Sequence, residues 1–291
     1  MASLNLLRWS VARDTSTAAK DPKTSVNKSA AIGNTVACKI GFVLRQEIFL
    51  LTIAKINRFW QALMSTNMEN EKGNVPHENE KARLLVQRGY DKIADTYLNW
   101  TVTKSTPRLA YLEKVLLKMH TPLNADVLEL GCGAGVPGTE LLSSRCGKVI
   151  ANDISRAQIE LAKSHVRRNN VDFSQEDMTK LEFEPASFDA VVAFYSIIHL
   201  PRGEQAILFP KIYSWLRPGG YLLCNLGVSD VPASMAEDWL GSQMYWSSFD
   251  VKTNLKLIRD AGFAINEHEV LEDDEDGTLV PFLWILAEKN M

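Results

Sequence analysis

The chain has 291 residues, of which 46% are hydrophobic and 23% charged, and a formal net charge of -3. That is enough for one medium α/β domain with a packed core and an extension, and the lack of a basic excess speaks against a nucleic-acid partner. Four cysteines, Cys38, Cys132, Cys146 and Cys224, form no C-x-x-C pair, which speaks against a disulfide framework or a zinc site and for a reducing compartment.

In chain order, residues 1–75 read as an N-terminal extension. Ser10 to Ser29 is rich in Ser, Thr, Ala and Lys and is expected to be disordered. Arg8 and Arg13 with few acids have some transit-peptide character, but a disordered tail is the simpler reading. A cytoplasmic location follows, with a mitochondrial one as the alternative. Ile40 to Met64 has the spacing of an amphipathic helix, which would pack on the domain, touch a membrane or partner, or be inert. The apolar stretch from Phe42 to Met64 is broken by Arg45, Glu47, Lys55 and Arg58, so no stable membrane insertion is expected. No signal-peptide pattern is evident. Ser65 to Val75 reads as a polar linker.

Residues 76–291 read as a single domain. Glu78 to Leu98 and Thr106 to His120 are expected helices, the second with Pro107 near its first turn. Strands and helices then alternate: strand Ala125 to Leu130, helix Val136 to Cys146, strand Lys148 to Asn152, a helix capped by Ser155, strand Val171 to Ser174 and the apolar strand Phe188 to Phe194. Helix Gly203 to Leu216 stops at Arg217-Pro218-Gly219-Gly220, before strand Tyr221 to Leu226. Gly227 to Ser248 reads as an irregular insertion and Asp250 to Ala261 as a helix. Strands Phe263 to Leu271 and Phe282 to Glu288 flank an acidic turn, Glu272 to Gly277. Apolar strands alternating with helices predict a three-layer α/β sandwich around a mostly parallel, twisted, seven-stranded sheet. The last two strands, joined by a turn, predict an antiparallel hairpin at one edge, and the first helices a cap.

The strongest local signal is Val127-Leu128-Glu129-Leu130-Gly131-Cys132-Gly133-Ala134-Gly135. A buried strand runs straight into G-x-G-x-G and a helix. Glycines let the backbone turn sharply and approach a ligand, while the helix N-terminus offers free N–H groups. The next strand ends in Asp153, at about the spacing where a carboxylate receives ribose hydroxyls, although capping the following helix would also suit it. A dinucleotide fingerprint asks for G-x-G-x-x-G/A. Aligned on Gly131 and Gly133, its last position is Val136, which disfavours a nicotinamide-dependent oxidoreductase.

Glu129-Leu130-Gly131-Cys132-Gly133-Ala134-Gly135 resembles the first motif of the class I S-adenosylmethionine-dependent methyltransferases. Further segments match that family in order: Asn152-Asp153-Ile154-Ser155, Gln175-Glu176-Asp177-Met178, Phe188 to Phe194, and Leu216 to Gly220. Tyr90-Asp91-Lys92-Ile93-Ala94-Asp95-Thr96-Tyr97 looks like the helix that closes over the cofactor in small-molecule members. The resemblance covers about His77 to Glu288. It implies a Rossmann-like methyltransferase fold and an enzyme that uses S-adenosyl-L-methionine.

Residue by residue, the resemblance places Gly131, Gly133 and Gly135 against the cofactor's amino-acid portion and Glu129 near its ammonium. Asp153 takes the ribose hydroxyls and Ile154 packs on the adenine. Asp177 accepts from the adenine amino group, beside Met178, and Phe194 offers a backbone carbonyl to the ammonium. Tyr97 lines the cofactor and Tyr90 the acceptor cavity, although both also suit helix packing. Tyr245 and Trp246 suggest a lid over the acceptor. Methyl transfer is an in-line displacement with a neutral leaving group, so alignment and water exclusion matter most. A base is needed only where the acceptor must lose a proton, and His199, with Tyr195, is the candidate. The motifs of base-amino, cytosine-ring, protein-arginine and metal-dependent catechol enzymes are missing. A small-molecule acceptor remains, attacked through N, O, S or C, with no metal site expected. A non-catalytic regulator that binds the cofactor is a further alternative.

Overall fold

A computed structural model describes residues 78–291. The expected extension 1–75, with its disordered tail and the Ile40–Met64 helix, lies outside the described residues. Strand β1 (Asp126–Leu130) pairs in parallel with β2 (Lys148–Asp153) on one side and β4 (Phe188–Ala193) on the other. Outside β2 runs β3 (Val171–Gln175), and outside β4 runs β5 (Leu216–Leu226), both parallel. Two antiparallel strands complete the sheet, β9 (Thr278–Lys289) on β5 and β8 (Phe263–Glu275) on β9. The seven-strand order is therefore β3-β2-β1-β4-β5-β9-β8, as the alternating pattern and the terminal hairpin predict.

The sheet is buried on both faces because successive strand residues point to opposite sides. On β4, Ala190 and Val192 join a core with residues of α2 (Arg108–Lys118), α3 (Gly138–Arg145) and α4 (Arg156–His165). Their neighbours Val191 and Ala193 join the opposite core, with residues of α5 (Arg202–Trp215) and α6 (Val251–Asp260). A fully buried aliphatic side chain in such a core contributes about 1.5–3 kcal/mol. Helix α1 (78–101) carries Val86, Tyr90, Ile93 and Tyr97 on one face, at the three- and four-residue spacing of an amphipathic helix. That face packs in a third cluster with Met244 and Tyr245. Among the described residues, no helix is long and apolar enough to cross a membrane.

Three segments depart from the sequence reading. Gly227 to Ser248 is not irregular: it holds a hairpin of β6 (Val231–Trp239) and β7 (Ser242–Ser248) in a separate two-stranded sheet. Residues 232–235 of β6 are all exposed, so no inside–outside alternation marks the strand. Its turn is Leu240-Gly241, both at positive φ, where Asn-Gly or Asp-Gly is the readable signal. The acidic run Glu272–Glu275 belongs to β8, and the turn is only Asp276-Gly277, also at positive φ. That pair is the common two-residue hairpin signal, and charge masked it. Finally, Arg217-Pro218-Gly219-Gly220 does not precede β5 but lies within it as an irregularity, with Phe188 opposite Leu216 and Ala190 opposite Tyr221.

Candidate active site

The carboxyl ends of β1, β2 and β4 meet where the chain connections part to opposite directions, the place where open α/β sheets bind ligands. A cleft opens there, with about 960 Å³ of empty space counted to its mouth. Its floor comes from the loop after β1, its sides from the ends of β2 and β4, and its cover from α1 through Arg83, Val86, Tyr90 and Tyr97.

Gly131, Gly133 and Gly135 have φ values of 76°, 55° and 78°, which glycine adopts without steric cost. A Cβ on Gly131 would stand 2.3 Å from the Cβ of Ser196. The bend lets the N–H groups of Gly131 and Cys132 both reach the Asn152 carbonyl at 2.8 Å. Asp153, at the end of β2, accepts from the N–H of Gly133 through Oδ2 and from that of Ser155 through Oδ1, each at 2.9 Å. Burial still pushes the Asp153 carboxyl up to about 6, partly offset by these hydrogen bonds. Glu129, with 4% of its surface exposed, accepts from the Thr139 hydroxyl at 2.6 Å, and burial lifts it to about 7. Two acids are thus held where water cannot solvate them, an arrangement that a cation or hydroxyl donors would relieve.

Ile154, Asp177, Met178 and Phe194 line the same cleft, beside Gly131, Gly133, Glu129 and Asp153. Asp177 accepts from the N–H and hydroxyl of Thr179 through Oδ1 and pairs with Arg83 Nε at 2.7 Å through Oδ2. Gly135 stands apart from the lining. A Cβ there would press on Ala162 and Val166, at 3.2 and 3.0 Å, so its bareness lets the loop pack on α4. Tyr245 and Trp246 are also absent from the lining. They back the cleft instead, because β7 lies behind His199.

His199 lines the cleft and is 6% exposed. Its Nδ1 lies 2.8 Å from the Tyr245 carbonyl and its Nε2 2.8 Å from the Tyr90 hydroxyl. A carbonyl only accepts, so Nδ1 carries the proton, and Nε2 accepts the Tyr90 O–H. Burial lowers the His199 pKa to about 4, leaving a neutral imidazole. The Trp246 ring packs at 5.8 Å from it, centroid to centroid. Tyr195 has φ 52°, a strained value for a tyrosine. Its hydroxyl donates to Asp273 at 2.5 Å. Burial, then that carboxylate, raise its pKa far above the usual tyrosine range, so it keeps its proton. It forms a wall of the cleft and is no base.

Gln158 carries no functional signal in the sequence, because it stands three residues after the cap Ser155, the spacing of a capping box. Ser155 Oγ does accept the Gln158 N–H at 3.2 Å. The Gln158 side chain does not return the bond: it is 1% exposed, lines the cleft, and neither Oε1 nor Nε2 has a partner. Asp91 of α1 was also overlooked. It accepts from the Ser155 hydroxyl and the Ala157 N–H at 2.7 and 3.1 Å, and so ties the cover to α4. The orphaned amide, the bare glycine bend and two desolvated acids suit a ligand with vicinal hydroxyls and an ammonium group, and the adenosyl amino acid S-adenosylmethionine has both.

Fold and site together form an α/β protein with a cleft at the carboxyl ends of its strands that suits a nucleoside ligand. Residues 127–220 match the family described as methyltransferase domain. Sterol 24-C-methyltransferase of Candida albicans is 34% identical over 107 residues, 35% of this chain and 28% of that protein. Phosphoethanolamine N-methyltransferase 1 of Triticum aestivum is 28% identical over 164 residues, 54% of this chain and 31% of that protein. The chain thus spans less than a third of the length of either relative. An S-adenosylmethionine-dependent methyltransferase of Methanosarcina mazei shares the fold, with a TM-score of 0.52 and 23% identity over 58% of this chain and 94% of that one. Residues 127–220 thus carry a methyltransferase-type domain, and the chain shares the fold of the S-adenosylmethionine-dependent methyltransferases.

Proposed function

We propose that the protein transfers a methyl group from S-adenosylmethionine to a small-molecule acceptor. The observation that carries this reading is the junction of Gly133, Asp153 and Gln158. There a carboxylate already holds the glycine loop, and a buried amide with no partner faces the same cleft. Asp153 and Gln158 bind the ribose hydroxyls, Asp177 and Met178 the adenine edge with Ile154 on its face, and Glu129 and the Phe194 carbonyl the ammonium. The relatives named for sterol and phosphoethanolamine methylation support a small acceptor. The free, buried thiols of Cys132, Cys146 and Cys224 suit a reducing compartment such as the cytoplasm.

When bound, the cofactor supplies an electrophilic methyl group on a sulfonium. The chain's own residues align the acceptor with it and keep water out. Tyr90 and Tyr97 cover the cleft from α1, while Tyr195 and Leu200 line its far side. Where the acceptor must lose a proton, Tyr90 oxygen takes it as the Tyr90 proton passes to His199 Nε2. A nitrogen acceptor that keeps its proton needs neither residue. Calorimetry with S-adenosylhomocysteine and with NADH tests the reading. Heat with the first and none with the second is expected, and the opposite pattern overturns it.

A further inference from the structure

The chain leaves β4 through a turn at Tyr195, whose φ of 52° persists only where its surroundings over-determine it. The backbone is held without the side chain. The Tyr195 N–H donates at 2.6 Å to Oδ1 of Asn225, which is fully buried at the end of β5. The hydroxyl of the next residue, Ser196, donates to the Leu130 carbonyl at 2.8 Å. The Tyr195 hydroxyl nonetheless donates to Oδ2 of Asp273 at 2.5 Å. Asp273 is an inward-facing residue of β8, 5% exposed between the exposed acids Glu272 and Asp274. Burial pushes its carboxyl up, so a carboxylate there weakens the fold. An apolar pair at the two positions would leave nothing to desolvate, so folding alone gives no reason for the tie.

The tie acts on the ring. The Tyr195 ring lines the cleft, meets the Phe282 ring edge to face at 5.0 Å, and carries the Arg108 guanidinium 5.1 Å from its centre. Asn225 holds its backbone and Asp273 its hydroxyl, so the side chain is fixed at both ends. An in-line displacement needs the attacking atom, the methyl carbon and the leaving sulfur in one line, and a misplacement of about 1 Å costs about 10²-fold in rate. A cleft wall that cannot swing serves that need. We propose that Asp273 is a positioning residue for methyl transfer, which clamps the Tyr195 hydroxyl so that the ring directs the acceptor onto the methyl group. The proposal rests on the methyl-transfer reading and adds to it a residue that does not itself line the cleft.

Two measurements on Asp273→Leu, Asp273→Asn and Tyr195→Phe test it. One is calorimetry with S-adenosylhomocysteine. The other is transfer from methyl-labelled S-adenosylmethionine to a deproteinised metabolite extract at graded dilution. Asp273→Leu and Tyr195→Phe break the clamp from opposite ends. Each should lower the rate at saturating extract about 10- to 100-fold, while S-adenosylhomocysteine binds as to the native chain. Asparagine keeps an oxygen for the Tyr195 hydroxyl, so Asp273→Asn should keep most of the rate. Tyr195→Phe leaves the clamp readable if Asp273→Leu is unstable. An unchanged rate in either clamp-breaking variant would overturn the proposal. So would a parallel loss of S-adenosylhomocysteine affinity, the mark of a purely structural wall. A rate in Asp273→Asn as low as in Asp273→Leu would assign the effect to charge and overturn it too. A native chain that binds S-adenosylhomocysteine but labels nothing would leave no reaction to position, which also overturns it. One that does not bind S-adenosylhomocysteine would sink the methyl-transfer reading itself.

Discussion

Replacing Glu129 with glutamine should stabilise the ligand-free protein while weakening its grip on the cofactor. Burial lifts the Glu129 carboxyl from its ordinary 4.5 to about 7. The folded chain therefore keeps a proton there that the unfolded chain releases, and stability falls as pH rises from about 4.5 to about 7. Each pH unit in that window costs up to about 1.4 kcal/mol. Glutamine keeps an oxygen for the Thr139 hydroxyl and has no charge to desolvate. Relative to the native chain, Glu129→Gln should gain roughly 2–3 kcal/mol in unfolding free energy between pH 5 and pH 8. Urea unfolding of the ligand-free proteins, followed by tryptophan fluorescence at both pH values, measures the gap. A gap that is the same at both would refute burial as the source of the shift. The variant should also bind S-adenosylhomocysteine about tenfold less tightly, because an amide cannot pair with an ammonium as a carboxylate does.

Gln158→Met removes a buried amide that has no partner and replaces it with a side chain of similar length. Thermal unfolding should show a ligand-free protein stabilised by about 1–3 kcal/mol, and calorimetry a weaker S-adenosylhomocysteine complex; unchanged affinity would remove Gln158 from the ribose site. Tyr90→Phe deletes the hydroxyl that donates to His199 Nε2. For an acceptor that must lose a proton, kcat should fall about 10²- to 10⁴-fold with cofactor affinity intact. A parallel loss of cofactor affinity would make Tyr90 a packing residue.

The sheet and its glycine bend were legible because their signals are local. An apolar run entering G-x-G-x-G, and an acid ending the next strand, need no knowledge of the rest of the chain. The β6–β7 hairpin was illegible because its first strand has no buried face and its turn uses leucine at positive φ. The packing of Gly135 was illegible because three glycines in one loop look alike in sequence, and only the position of α4 shows which one faces a helix. Gln158 was illegible for a different reason. A glutamine three residues after a serine cap has an ordinary use, and only the bonds its side chain fails to make distinguish it.

Departures from good folding practice gather around one cleft. Asp153 and Glu129 are buried acids, Gln158 is an orphaned amide, and Tyr195 holds a strained φ. Each alone destabilises the folded chain. A single ligand with vicinal hydroxyls and an ammonium would compensate the first three together, so binding and stability must be linked. The ammonium needs Glu129 ionised, so binding in the window near 7 releases a proton, and affinity should rise with pH. A fixed excess of S-adenosylhomocysteine should therefore raise Tm more at pH 8 than at pH 5.5. An equal rise at both would mean that Glu129 does not meet the ammonium, even if the ligand sits in this cleft.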